Sequence, residues 1–498
     1  MPLSQLQHNY FYRAEHIRVT EEGVIDSGLI SGYRLMQQAA QAVFDVIESR
    51  YPQGKICIVC GPGNNGGDGY ELAHLCHQAG RAVQVLQWAP HKAVSGDAHV
   101  ARSNLKATGV AIQPIEHEAQ LPIAEDCQLI VDAILGNRCR SEANAALSAL
   151  FRSINQHSAD VVSVDIPSGL HADTGVAING AVNANITVTF GAYKLGLLTG
   201  QARLYRGQLL LADLGIGDQF ERYSQHLGQR CDARDIATFI KPRQATAHKG
   251  QHGKLTVIGG DLGMPGSVKL AAEAALRAGT GLVTVVSHEQ HQAAILQNRP
   301  ELMFCRCELV DMEVYSRLGW ANVLLLGPGL GQQEWGYNLF KACILSEKPL
   351  VLDADGLNML AIEPSRNDNW ILTPHSAEAA RLLQCNVTEI ENNRLQAVQA
   401  LQQKFGGVVL LKGPGTLIYD GQQLVVADVG NPGLAVAGSG DLLSGIIAAI
   451  WAQGLSAFDA TVAAALIHGS AADVAAEKGQ RGMLPSDLLP YIRTMVNP

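Results

Sequence analysis

Long apolar runs are missing from these 498 residues. No stretch of about 18 apolar residues occurs, so no membrane-spanning helix is expected. The opening residues, MPLSQLQHNYFYRAEH, have no apolar centre of the signal-peptide kind, which points to a cytoplasmic protein. Basic clusters are missing too. Lys and Arg number 37 against 46 Asp and Glu, for a formal charge of −9, and no patch suited to nucleic acid forms. Metal-binding cysteine pairs are scarce. Cys57 and Cys60 form a C-x-x-C inside KICIVC, which reads as a buried strand; side chains three apart on a strand face opposite ways and cannot chelate one metal. Cys305 and Cys307 have no second pair nearby, so the cysteines read as reduced, buried thiols. His74 and His77 stand as H-x-x-H on a helix without a third ligand, the pattern of a solvated or packed face.

What is present is Ala, Leu and 51 Gly, at 47% hydrophobic and 17% charged residues, a globular composition long enough for two or three domains. Residues 13–50 read as helices. Strand Lys55–Cys60 follows, then a loop Gly61–Gly69 (GPGNNGGDG), helix Tyr70–Ala79, strand Ala82–Gln87 and helix Gly96–Thr108. Strand Cys127–Asp132 runs into DAILGNRCR, helix Ala143–Gln156 into strand Asp160–Asp165 and DIPSG. Strands Thr187–Ala192 and Leu211–Gly217 finish the unit. Residues 218–250 are polar and aperiodic, and the domain boundary is placed there, at 222/223, giving domains 1–222 and 223–498. A second series starts at Lys254–Gly259 and helix Val268–Ala278. It continues through ANVLLLGPGLG, KPLVLDADGLN, NWILTPHSAE and VVLLKGPGT to GNPGLAVAGSGDLLSGIIAAIWA. Both halves alternate strand and helix, predicting an α/β protein of two three-layer domains with parallel sheets. Ligands in such folds bind beyond the carboxyl ends of the strands, where the Gly/Pro/Asp/His loops stand.

Two loops carry chemistry. Gly438-Ser439-Gly440 leads into Asp441, after which Leu442, Leu443, Ile446, Ile447 and Ile450 keep helical spacing. A helix starting near Asp441 aims N–H groups and the positive end of its dipole at the glycine turn, a seat for an anion. A carboxylate beside that seat can take a proton from an attacking hydroxyl, which is the kit for phosphoryl transfer to an alcohol. The plain alternative is an Asp that caps a buried helix. In the first half, Gly61-x-Gly63-x-x-Gly66 matches a dinucleotide fingerprint, but the next strand ends at Trp88 with no acidic residue for a ribose, so an ordinary dehydrogenase is disfavoured. Asn64, Asn65 and Asp68 on one turn, with Asp132 and the Asp165–Ser168 turn ending nearby strands, offer hard oxygen donors for a cation. Each loop alone is equally an ordinary turn.

GPGNNGGDG, VDAILG, SVDIPSG and TFGAYKLGLLTG resemble the NAD(P)H-hydrate epimerase domain, a Rossmann-like fold. HKGQHGKLTVIGGDLGMPGS, RPELM, GPGLG, LDADGLN, TPHSAEAARLL, LLKGPGT, GNPGLAVAGSGDLLSG and RGMLPSDLL resemble the ADP-dependent NAD(P)H-hydrate dehydratases, a ribokinase-like family. The resemblance covers almost the whole chain. It implies repair of NADHX and NADPHX, NADH and NADPH hydrated at C6: the first domain interconverts the R and S forms, and the second dehydrates the S form with ADP. It also implies that Asn64, Asn65, Gly66, Gly67 and Asp68 contact the hydrate, that Gly136, Asn137, Arg138, Cys139, Arg140, Ser141 and Glu142 line the dinucleotide, and that Asp165 faces the damaged ring. Asn65, Asp132 and Ser168 would hold potassium, with Asp165 and Asp68 as the acid–base carboxylates. In the second domain Lys412, Gly413, Pro414, Gly415, Thr416 and Gly440 would contact ADP, Ser267, Gly329 and His375 the hydrate, and Asp441 would be the base. Asp353 and Asp355 resemble residues near the phosphates that act through magnesium, one of them also suited to capping a helix.

Three departures stand out. Asn137-Arg138 replaces a Thr-Gly that the family carries after Gly136, so Arg138 either closes the backbone's approach to a pyrophosphate or adds a cation for it. TPHSAE replaces TPHPGE, and Gln37-Gln38-Ala39-Ala40 replaces an Asn-Ala-Gly type helix end. Two other readings remain open: an ATP-dependent small-molecule kinase, against which the NNGGD domain argues, and a non-catalytic dinucleotide-binding protein. Sheet edges that pair in oligomers make a homo-oligomer plausible.

Overall fold

The computed structural model describes residues 9–115, 122–137, 145–177 and 179–498. They divide into two compact units at Gln229/Arg230.

In the first unit a parallel sheet runs in the order Ile112–Pro114, Val83–Gln87, Lys55–Cys60, Cys127–Ala133, Asp160–Val164, Ile186–Phe190, Gln208–Ala212. The chain works outward from Lys55–Cys60 to one edge, then returns to Cys127–Ala133 on the other side. The point of reversal opens a crevice beyond the carboxyl ends of those two strands. The strands are nearly continuous apolar runs because both faces are covered. Ile56, Ile58 and Cys60 enter one core cluster, Cys57 and Val59 the other, so the two thiols of C-x-x-C do lie on opposite faces.

Two expectations fail here. Asn64-Asn65-Gly66-Gly67-Asp68-Gly69 is not loop but the opening of a helix, Asn64–Gln78. Its glycines are required by packing: a β-carbon on Gly66 would lie 1.9 Å from the Gly61 carbonyl oxygen, and one on Gly69 2.7 Å from Ala133 Cβ. Close seating of the helix on the sheet thus outweighs the poor helix propensity of the segment. The last strand is Gln208–Ala212, not Leu211–Gly217, since Leu214 and Gly215 take positive φ and turn the chain.

The second unit repeats the reversal. Its sheet runs Met303–Arg306, Leu282–Ser287, Lys254–Ile258, Val323–Leu326, Leu350–Leu352, Trp370–Leu372, Val408–Leu411, Thr416–Tyr419, Leu424–Ala427, parallel as far as Val408–Leu411 and antiparallel beyond. The crevice lies between the ends of Lys254–Ile258 and Val323–Leu326. Helix Ser439–Ala452 starts two residues before the expected Asp441 and is apolar on all sides, as a helix enclosed in a core must be. It packs against helices Pro265–Arg277 and Ala457–Ala475. At the first crossing a β-carbon on Gly445 would lie 2.2 Å from the Ala271 carbonyl oxygen, so glycine alone permits the approach. No described helix is long and apolar enough to cross a membrane.

Candidate functional sites

The first site gathers at the reversal crevice of the first unit. Asp132, at the end of its strand, is fully buried. Its carboxylate accepts from Ser163 Oγ at 2.9 Å, Ser168 N at 2.8 Å, Ser168 Oγ at 2.6 Å and Ile134 N at 3.3 Å. Burial raises its carboxyl above the ordinary range and these hydrogen bonds pull it back. Asn65, on the first turn of its helix, donates from Nδ2 to the Leu135 carbonyl at 3.0 Å, while its Oδ1 is buried without a hydrogen-bond partner. Ser168 Oγ reaches the same carbonyl at 3.2 Å. An orphaned carbonyl oxygen beside a buried carboxylate, a hydroxyl and a backbone carbonyl is a donor set of hard oxygens, which fits an alkali cation. Among the described residues no group of three His, Cys, Asp or Glu is arranged as a metal site. A β-carbon on Gly136 would lie 3.4 Å from Asn65 Cβ, so Gly136 borders this place. Arg138, Cys139, Arg140, Ser141 and Glu142 lie outside the described residues.

Asp165 sits one strand over in the left-handed backbone region, φ +68°. That conformation costs a non-glycine residue of the order of 1 kcal/mol and is characteristic of functional positions. Its Oδ1 accepts from Lys194 Nζ at 2.7 Å and Phe190 N at 3.2 Å. Lys194 is completely buried and also donates to Thr189 Oγ1 at 3.0 Å and Phe190 O at 3.2 Å, a set of acceptors that fits an ammonium. Asp68, facing Asp165, is driven well above the carboxylate range by burial and by the charge of Asp165. The two carboxyl groups therefore differ in surroundings: burial acts on Asp68, whereas Asp165 is paired with Lys194. Lys194 escaped the sequence reading. Its signal was a lone lysine within the apolar run AYKLGLL.

The second site lies at the reversal crevice of the second unit. Gly438, at φ +92°, is the N-cap of the helix that carries Asp441, so Asp441 stands inside the first turn and does not cap. Ser267, in the first turn of Pro265–Arg277, lies beside Asp441 and favours its charged form. A β-carbon on Gly329 would lie 3.2 Å from Ser267 Cβ, which brings that loop to the same point. Burial, then the neighbouring Asp353, lifts Asp441 to about 6 against the opposing pull of Ser267 and Lys412. Lys412 Nζ bonds Asp353 Oδ1 at 2.9 Å and lies 3.7 Å from Glu378 Oε2. Burial works against its charge, but the surrounding carboxylates outweigh burial and hold the ammonium above its ordinary value. A β-carbon on Gly440 would be 3.4 Å from Lys412 Nζ and 3.8 Å from Asp353 Oδ2. Lysine, carboxylates and helix N-terminus thus converge on Gly440.

His375 caps its helix: Nδ1 accepts from Ala377 N at 3.0 Å and Glu378 N at 3.3 Å, leaving Nε2, 3.5 Å from Glu378 Oε1, as the donor. The two aspartates of LDADG separate. Asp353 turns to Lys412, whereas Asp355 accepts from Gly331 N at 3.0 Å and Gln332 Nε2 at 3.0 Å, bracing the glycine loop. Three more residues had no readable sequence signal. Glu378 lies beside Lys412, Arg394 lies beneath it, and His468 lies behind Ser439, with Ser439 Oγ 3.4 Å from its Nε2. Burial pushes His468 down to about 4, so it is neutral.

Comparison with known proteins finds a family match within each unit. A family model described as "YjeF-related protein N-terminus" matches residues 32–196, and one described as "NAD(P)H-hydrate dehydratase" matches 255–494. The chain is 43% identical over 496 residues to the bifunctional NAD(P)H-hydrate repair enzyme Nnr of Escherichia coli, covering 99% of this chain and 95% of that protein. The chain belongs to the bifunctional NAD(P)H-hydrate repair enzymes. Another member of this repair family, from Coxiella burnetii, is 41% identical over 490 residues, covering 98% of this chain and 99% of that one. Among solved structures, a ribokinase-like superfamily protein from Enterococcus faecalis aligns with a TM-score of 0.50 at 25% identity, over 54% of this chain and 95% of its own. The repair family's two catalytic modules thus correspond to the two compact units.

Proposed function

We propose that the first site epimerises the C6 carbinol of NADHX and NADPHX and that the second dehydrates the S form with ADP, releasing AMP and phosphate. The observation that carries this reading is the convergence of Asp441, Ser267, Lys412 and Asp353 on a glycine turn at a helix N-terminus. Asp441 takes the proton of the C6 hydroxyl, and the oxygen then accepts the terminal phosphoryl of ADP. Lys412, with the Gly440 amide and the helix dipole, stabilises the charge on the transferring group. Phosphate leaves C6, pushed by the lone pair of the ring nitrogen, and loss of a proton from C5 restores the dihydropyridine. Phosphorylation supplies the leaving group that a bare hydroxide is not. Residues Lys412–Thr416 hold the nucleotide, and Ser267, Gly329 and His375 hold the hydrate. Asp353 would hold a magnesium ion, which would supply positive charge to the phosphates of the nucleotide.

In the first unit, Asp68 donates a proton to the departing C6 hydroxyl and Asp165 takes one from the water that returns on the other face, and exchange with solvent restores both carboxyl groups. Asn65, Asp132 and Ser168 would hold potassium, whose charge favours anionic groups of the dinucleotide there. Asn64, Gly66 and Gly67 contact the hydrate, and Gly136 and Asn137 line the dinucleotide.

The test is recovery of the NAD(P)H absorbance from separated R and S hydrates with ADP and magnesium, in potassium and in sodium buffers. Recovery from S in either buffer, and from R in potassium, is expected. Recovery from neither hydrate by folded protein would overturn the reading. Phosphorylation of another small alcohol by ATP would then favour the kinase.

A further inference from the structure

The loop Lys412–Thr416 rests on an arginine that the chemistry above does not use. Arg394 opens helix Arg394–Phe405 and is 1% exposed. A guanidinium so deep is tolerated only where partners meet it. Nη1 donates to Glu391 Oε1 at 3.0 Å, and Nη2 donates to the carbonyls of Leu411 at 3.1 Å and Lys412 at 3.0 Å. A β-carbon on Gly413 would lie 2.7 Å from Nη2, so the guanidinium lies directly against the loop. In a trans peptide the C=O and the following N–H point opposite ways. Holding the Leu411 carbonyl therefore turns the Lys412 N–H to the other side, where it donates to Pro374 O at 2.9 Å. Holding the Lys412 carbonyl likewise turns the Gly413 N–H away from the guanidinium. Glu391 also accepts from Ser376 Oγ, so the arginine's counter-ion is bound to the turn that carries His375.

We propose that Arg394 and Glu391 are positioning residues that clamp the nucleotide loop to the Thr373–Ser376 turn. The clamp sets the affinity for the nucleoside diphosphate by fixing the peptide planes of residues 411–413 before it binds. This rests on the reading that Lys412–Thr416 holds ADP. Neither residue touches the reacting atoms. A lysine at 394 keeps the charge but loses the planar fork that spans two carbonyls and a carboxylate.

Steady-state dehydration of the S hydrate by the full chain, at varied ADP, tests this. R394K is expected to raise KM for ADP about tenfold with kcat within about twofold, and E391Q to raise it about threefold. Epimerisation by the same preparations stays at the wild-type rate. A merely structural role predicts the opposite split, with kcat falling alongside the folded fraction and KM unchanged; that result overturns the proposal. K412M separates the two levels. If K412M raises KM for ADP and neither R394K nor E391Q does, the clamp alone fails. If none of the three moves it, the nucleotide-loop reading fails with it. Should R394K give little folded protein, E391Q decides, because Glu391 is 36% exposed at its side chain and tolerates an isostere: a raised KM supports the clamp and a wild-type KM overturns it.

Discussion

Asp441 shows how a single side chain is made into a base. Burial and Asp353 raise it to about 6, close enough to neutrality to accept a proton and low enough to be ionised at pH 7. The dehydration step is therefore expected to slow about tenfold per pH unit below about 6 and to level off above it, read in single-turnover rates. A rate flat down to pH 5 would remove Asp441 from the role. Replacement by asparagine is expected to cut kcat by about 10²–10⁴. At this scale legibility was uneven. Asp441 was singled out by its glycine turn and the apolar helix pattern after it, whereas Ser267, Gly329 and Lys412 were named only through the resemblance of the motifs that carry them. Lys194 and Arg394 were not readable, since a buried cation is defined by partners distant in sequence, as Asp165 is from Lys194 across 29 positions.

Among the elements, two helices decide the dehydration site. Pro265–Arg277 brings Ser267 and Ser439–Ala452 brings Asp441, and their crossing is set where Gly445 meets the Ala271 carbonyl. Gly445→Ala is expected to wedge the pair apart, destabilising the second unit by about 1–3 kcal/mol and lowering kcat well beyond the loss of folded protein. Denaturant titration beside kinetics checks both, and unchanged kcat per folded molecule would show that the crossing does not register the site. The strand series was legible from apolar runs ending in glycine loops. The helical start at Asn64 was not: Asn, Gly and Asp favour turns locally, and only the seat against Gly61 and Ala133, remote in sequence, makes a helix of them.

The fold's response to acid joins groups on different elements. Asp441 has a folded value near 6 against 3.8 unfolded, so the folded state binds its proton first and gains stability as pH falls from about 6 towards 4. His468 is the reverse. Its folded value near 4 lies below the ordinary 6.5, so the unfolded chain binds the proton first and stability is lost between about 6.5 and 4. Each shift is worth roughly 3 kcal/mol, and in the wild-type chain they offset one another. Asp441→Asn removes one arm. The variant is expected to be more stable than wild type at pH 7 and to lose about 3 kcal/mol of that advantage on going to pH 4, in urea titrations at each pH. Parallel stability curves for the two proteins would refute the pairing.

That two compact units share one polypeptide also has a consequence for flux. Translation of a single message supplies the two catalysts in equal number, at every level of expression. Their relative throughput is then a property of turnover numbers and not of abundance. A slow first unit cannot be offset by making more of it alone, so its rate sets the ceiling at which the R half of the damaged pool drains.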